Sequence, residues 1–127
     1  MTRINCVPVQ ELCNKHLFAE WRELPRIKSY VSKSINKGLN VLDIPPHYVL
    51  GKGHVKFFYN KLSFLIKRYD ELTKELLDRG YNIEKSELIM EGLPNWFNDW
   101  VPTQEDIMLN RHRIKERMPK NPKWSKI

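Results

Sequence analysis

The chain opens Met1-Thr2, with a small residue after the initiator. Aminopeptidases commonly remove methionine in that context, which leaves a free α-amine on Thr2. With a pKa of about 7.7 that amine is roughly one-third neutral at pH 7.4, against about 0.1% for a lysine near 10.4, so it is some hundreds of times more available as a nucleophile. A nearby arginine favours the neutral form further. Very many proteins begin Met-Thr, so the amine means little without company. That company is His16, Arg22, Glu23 and Arg26. On a helix Glu23 and Arg26 are neighbours at i, i+3, and Arg22 and Arg26 at i, i+4, so the three share one surface. Two guanidiniums can clamp phosphates in a bidentate way, while a carboxylate between them acts as general acid or base or stabilises a developing cation. The plainer reading is a solvated ion pair worth under about 1 kcal/mol.

Weaker candidates surround this cluster. His16 and Glu20 stand at i, i+4 and could begin a metal site, but no third ligand lies near them in sequence, and no metal is expected. Gly51-Lys52-Gly53-His54 could turn backbone donors toward a phosphate, or be a hinge. Trp124 lies between Lys123 and Lys126 and either stacks on a base or anchors the tail on the body. Trp96, Phe97 and Trp100 read as core rather than as a base-stacking platform. Cys6 and Cys13 fit no paired metal spacing and read as small buried thiols, with no disulfide expected.

Positioning these residues falls to a chain of 127 residues, 41% apolar and without an apolar run long enough for a bilayer or a signal peptide. One domain spanning 1–127, in a cytoplasm-like compartment (bacterial or virus-infected host cell), is the expectation. The formal charge of +7 is unevenly placed. From Arg111 onward there are seven basic residues and one acid, a net +6, so a nearly neutral body carries a basic C-terminal segment, 111–127. Such a strip favours a polyanion, or merely keeps the protein in solution.

Hydrophobic periodicity predicts an all-α domain of three main helices joined by long packed connectors. The first begins near Asn14, carries Leu17, Trp21, Leu24, Ile27, Val31 and Ile35, and stops at Gly38, with Pro25 bending it and leaving the Trp21 carbonyl without its usual partner. Residues 39–53 read as a connection without regular structure. The second helix runs along the stripe Phe58, Leu62, Leu65, Tyr69, Leu72 and Leu76 to Arg79-Gly80. Residues 81–102 read as a connector packed through Leu93, Trp96, Phe97 and Trp100. The third helix starts at Thr103, turns Ile107, Ile114 and Met118 inward and stops at Pro119.

The blocks Met1-Thr2-Arg3-Ile4-Asn5, His16-Leu17, Arg22-Glu23-Leu24-Pro25-Arg26 and Leu50-Gly51-Lys52-Gly53-His54-Val55, followed by Phe57-Phe58-Tyr59, resemble in order and spacing the bacteriophage pyrimidine-dimer DNA glycosylase family, often called endonuclease V. Lys61-Leu62, Phe64-Leu65, Arg79-Gly80, Asn82-Ile83, Arg113 and Pro122-x-Trp124 continue the likeness, which weakens over residues 84–106. The resemblance implies a compact three-helix enzyme, without metal or other cofactor, that cuts ultraviolet-damaged double-stranded DNA as a glycosylase and abasic-site lyase. Thr2 would be the nucleophile at C1′ of the damaged nucleotide, and Glu23 the carboxylate that stabilises the cationic sugar or imine and moves protons. Arg22 and Arg26 would hold phosphates, with Arg3, His16, Arg113, Arg117, Trp124 and Lys126 extending the DNA-binding surface. In this family the flipped nucleotide lies opposite the lesion. A monomer with no membrane association and no obligate protein partner is expected. After Trp124 only Ser125, Lys126 and Ile127 remain, where the family's tail is longer and rich in tyrosine, so lesion preference is the property in question.

Two other classes stay open on the residues alone. A non-enzymatic DNA-binding protein would use the same basic strip to recognise bent or damaged duplex and never cut. A helical protein-interaction module would use Trp96 to Trp100 and show no DNA affinity at low salt.

Overall fold

The structure, a computed structural model, describes residues 4–84 and 94–125. Five α-helices are present among them: α1 (Asn14–Glu23), α2 (Ile27–Asn36), α3 (His54–Phe57), α4 (Leu62–Asp78) and α5 (Gln104–Glu116), separated by short 3-10 turns. Among the described residues no strand forms, and Lys61 and Phe97 make an isolated antiparallel bridge. The all-α expectation is met, but two of the three expected helices are divided.

Pro25 divides the first. It has no N–H to bond the Trp21 carbonyl, so α1 ends at Glu23 and a 3-10 turn, Leu24–Arg26, leads into α2. The break costs no core: Leu17, Leu24, Ile27 and Val31 are buried, and Trp21 stacks on Tyr69 of α4 at 6.1 Å while its N–H donates to Thr73 Oγ1 at 3.0 Å. Gly38, at φ +97°, closes α2. The Leu39 N–H reaches the Ser34 carbonyl and the Gly38 N–H that of Ile35, which pairs carbonyls a helix end leaves open.

The second expected helix begins directly after the 39–53 connection, as α3, but then breaks through a 3-10 turn at Phe58–Asn60 and restarts at Leu62. No proline or glycine causes this break; one local and one distant side chain hold it. Lys61, at φ −125° and ψ 43°, sends its amine back to the Phe57 carbonyl at 2.8 Å, and the Asn98 side chain donates to the Asn60 carbonyl at 2.9 Å. The apolar stripe survives, with Phe58, Leu62, Leu65, Tyr69, Leu72 and Leu76 all buried. α4 lies against α1, and the two form the centre of the core.

The connector over 39–53 contains one 3-10 turn, Val41–Asp43, capped reciprocally by Asn40 and Asp43. Within 81–102, residues 85–93, including Leu93, lie outside the described residues. Trp96 is buried, and Trp100 packs among Tyr48, Phe57, Phe58 and Phe64. Phe97 departs from expectation and is 42% exposed, because its backbone faces Lys61 and its ring faces outward. Thr103 starts α5 with a capping box to Asp106. That helix ends at Glu116, before Pro119, with Ile114 buried and Ile107 and Met118 partly so. The tail then straps the body: the Asn14 N–H donates to the Lys123 carbonyl at 2.7 Å, Asn14 Nδ2 to the Ser125 carbonyl at 2.7 Å, and the Trp124 indole to the Glu11 carbonyl at 3.1 Å. No described helix is long and apolar enough to cross a membrane.

Candidate functional site

Helical spacing puts His16, Glu20 and Glu23 on one line of α1, and Asn110, Arg113 and Arg117 on one line at the end of α5. Residues 4–7 run between these lines and are held at every step. Asn110 Oδ1 accepts from the Cys6 and Val7 N–H groups at 2.8 and 3.2 Å, and its Nδ2 donates to Asn5 Oδ1 at 2.8 Å. The Asn5 Nδ2 donates in turn to Glu20 Oε1 at 2.8 Å. Glu20, 1% exposed, receives Arg68 of α4 on both oxygens, at 2.7 and 3.1 Å, while Arg68 Nη1 donates to the Val7 carbonyl at 2.6 Å. A buried carboxylate and a buried guanidinium thus satisfy one another and leave polar atoms over for the segment.

The first described residue is held separately. The Ile4 N–H donates to His54 Nε2 at 3.3 Å, and the other ring nitrogen, Nδ1, donates to the Val49 carbonyl at 2.8 Å. These partners assign the neutral tautomer with the proton on Nδ1. Burial holds the His54 pKa below its ordinary value. Gly51 and Gly53, at φ +76° and +87°, make the tight turn that begins α3. The turn delivers His54 to the segment, and α3 is too short to serve as a phosphate cradle of its own.

Of the residues singled out in the sequence, Thr2, Arg3 and Lys126 lie outside the described residues. Glu23 and Arg26 form an ion pair at 3.3 Å, the carboxylate half-buried and the guanidinium exposed. Arg22 is exposed, its guanidinium 5.1 Å above the Phe18 ring. Arg113 is half-buried, 4.0 Å from Glu116, and Arg117 is exposed. His16 is buried rather than presented to solvent: Nε2 lies 3.1 Å from the Arg117 carbonyl, and Nδ1 has no hydrogen-bond partner among the described residues. Burial pushes its pKa down as well. Trp124 anchors the tail through its N–H, the second of its two expected uses, and keeps 45% of its surface exposed.

Other expectations resolve against ligand binding. Glu20 is occupied by Arg68 and Asn5, so the His16–Glu20 pair offers no metal ligand set, and no cluster of three ligating side chains occurs among the described residues. Cys6 and Cys13 are free and buried, and burial pushes the Cys6 thiol up to about 11, far from a neutral-pH nucleophile. The residues missed by sequence reasoning are the ones that hold the segment: Asn5, Glu20 in its true role, His54, Arg68 and Asn110. Two carried a signal. Arg68 interrupts the stripe between Leu65 and Leu72, and Asn110 stands between Ile107 and Ile114, so each is a polar residue on an apolar face.

The arrangement ties residues 4–7 to α1 at Glu20, one turn before the Glu23–Arg26 pair. Residues 1–88, which contain the segment, α1, His54 and Arg68 but not Asn110, match the model of a protein family described as pyrimidine dimer DNA glycosylase.

Proposed function

The chain thus belongs to the pyrimidine dimer DNA glycosylase family, and on that premise we propose that it cuts ultraviolet-damaged DNA in two linked steps, with Thr2 as nucleophile and Glu23 as its carboxylate. The neutral α-amine of Thr2 attacks C1′ of the damaged nucleotide, and the glycosidic bond breaks with its electron pair leaving on the base. Loss of the amine proton and opening of the sugar give an imine between Thr2 and C1′. Removal of a proton from C2′ then expels the 3′ phosphate by β-elimination and cuts the strand. Glu23 stabilises the cationic sugar and imine and transfers protons. Arg22 and Arg26 hold phosphates beside it, and Arg3, Arg113, Arg117, Lys126 and the exposed part of Trp124 extend the grip. His16 contributes from below the surface by holding the Arg117 carbonyl. The reaction needs no metal or organic cofactor, and one copy of the chain suffices.

The observation that supports this reading is the tethering of residues 4–7 by His54, Asn110, Arg68 and, on α1, Glu20, one turn before Glu23. Covalent geometry keeps the Thr2 nitrogen within about 7 Å of the Ile4 nitrogen. Glu23 stands one turn beyond Glu20, the residue to which Asn5 is bonded. A nucleophile on a free chain end would otherwise sample far too much space for efficient attack.

The test is borohydride trapping in EDTA, on a dimer-containing duplex and on an abasic duplex, with the adduct mapped by mass spectrometry. Adducts on Thr2 with both substrates are expected. Burial pushes the Lys61 amine down to about 8, which makes it the competing nucleophile to watch. An adduct on Lys61 would overturn the assignment of Thr2; trapping on the abasic duplex alone would remove dimer recognition; no adduct from protein lacking Met1 would leave a DNA-binding protein that does not cut.

A further inference from the structure

We propose that His54 is a positioning residue for this reaction: through its bond to the Ile4 N–H it sets where the Thr2 amine stands, and it does so only as the neutral Nδ1–H tautomer. The proposal rests on Thr2 being the nucleophile. Among the described residues the Ile4–His54 bond is the last one before the chain reaches Arg3 and Thr2, since the Asn110, Glu20 and Arg68 bonds all fall on residues 5–7. Without it, the chain pivots from Asn5 and the amine swings on a longer arm. The ring is itself immobilised, edge-on to Tyr48 at 5.6 Å and to Phe58 at 5.5 Å, with Nδ1 tied to Val49.

Protonation inverts the contact. An imidazolium carries an N–H on Nε2, which would face the Ile4 N–H, donor against donor. Around the ring, Glu20 of α1 favours the charged form, Arg113 of α5 opposes it, and Tyr48 of the 39–53 connector is a neutral phenol at these pH values. Burial dominates and keeps the ring neutral until the pH falls below the ordinary histidine value of 6.5. Single-turnover trapping should therefore fall about tenfold per pH unit just below the amine pKa, and more steeply than that over the range in which His54 also protonates.

The experiment follows trapping on an abasic duplex from pH 5 to 8.5 with the wild type, His54→Gln, His54→Leu and N-terminally acetylated protein, with thermal melting as the check on folding. The glutamine amide oxygen can accept from the Ile4 N–H and does not titrate. His54→Leu is expected to lower kcat by about tenfold or more while duplex Kd moves less than about threefold. His54→Gln is expected to recover kcat to within about threefold and to keep a single tenfold slope in acid. Wild-type kcat in His54→Leu, or a steepened acid limb surviving in His54→Gln, overturns the proposal. If His54→Leu does not fold, the acid slope of His54→Gln decides. Trapping by the acetylated protein would instead remove Thr2 as nucleophile, so failure of the underlying reading is seen separately.

Discussion

Glu20 and Glu23 are the same residue type one turn apart, and their surroundings are opposite. Glu23 stands half-buried beside the exposed Arg26, where a carboxylate can meet a substrate. Its replacement, Glu23→Gln, is expected to lower turnover by about a hundredfold or more while leaving duplex Kd within about threefold, measured by single-turnover cleavage and fluorescence anisotropy. Glu20 is sealed beneath the surface with Arg68. Glu20→Gln leaves that guanidinium buried without its counter-charge, and should cost about 3–5 kcal/mol in urea unfolding, against little for an exposed carboxylate. The sequence shows which residues could react, because Thr2, Arg22, Glu23 and Arg26 carry their chemistry in their type and spacing. It does not show which carboxylate is structural. That difference is made by Arg68, 48 residues away, and nothing local separates the two glutamates.

At the scale of elements, breaks with a local cause were legible and breaks held by distant partners were not. Pro25 announces its interruption, and Gly38 and Gly80 announce their helix ends. The break at 58–61 depends on Asn98 and Phe97, more than 30 residues later, and reads in sequence as unbroken helix. The Pro25 turn also bears on the site. In 3-10 geometry residues i and i+3 eclipse, which brings Arg26 over Glu23 at 3.3 Å, whereas an α-helix would offset them by about 60°. Pro25→Ala restores the missing N–H and lets the turn relax to α. Thermal stability should hold or rise, while strand cutting falls about tenfold as the pair moves apart.

For the molecule as a whole, the basic strip was legible as charge but not as available charge. Arg111 is bound by Glu11 through two 2.7 Å bonds, so the cations that the proposed reading leaves for DNA are the exposed Arg22, Arg26 and Arg117, the half-buried Arg113 and the tail lysines. Neutralising about six phosphates gives a log–log slope of affinity on salt near −5, and a salt titration checks it. Acid should weaken the fold as well. His16 and His54 both have pKa values lowered by burial, so as the pH falls below 6.5 the unfolded chain takes up protons that the folded one refuses. Stability is full above that value and declines toward the folded pKa values, to be read as a lower urea midpoint at pH 5 than at 7.5. The bond between Asn5 and Asn110 joins residues 105 positions apart. A ribosome adds roughly 5–20 residues per second, so the beginning of the chain waits on the order of 5–20 s for the partner that fixes it. The partners of residues 4–7 are made in the order Glu20, His54, Arg68 and Asn110, so the segment takes its final place only after α5 has been synthesised.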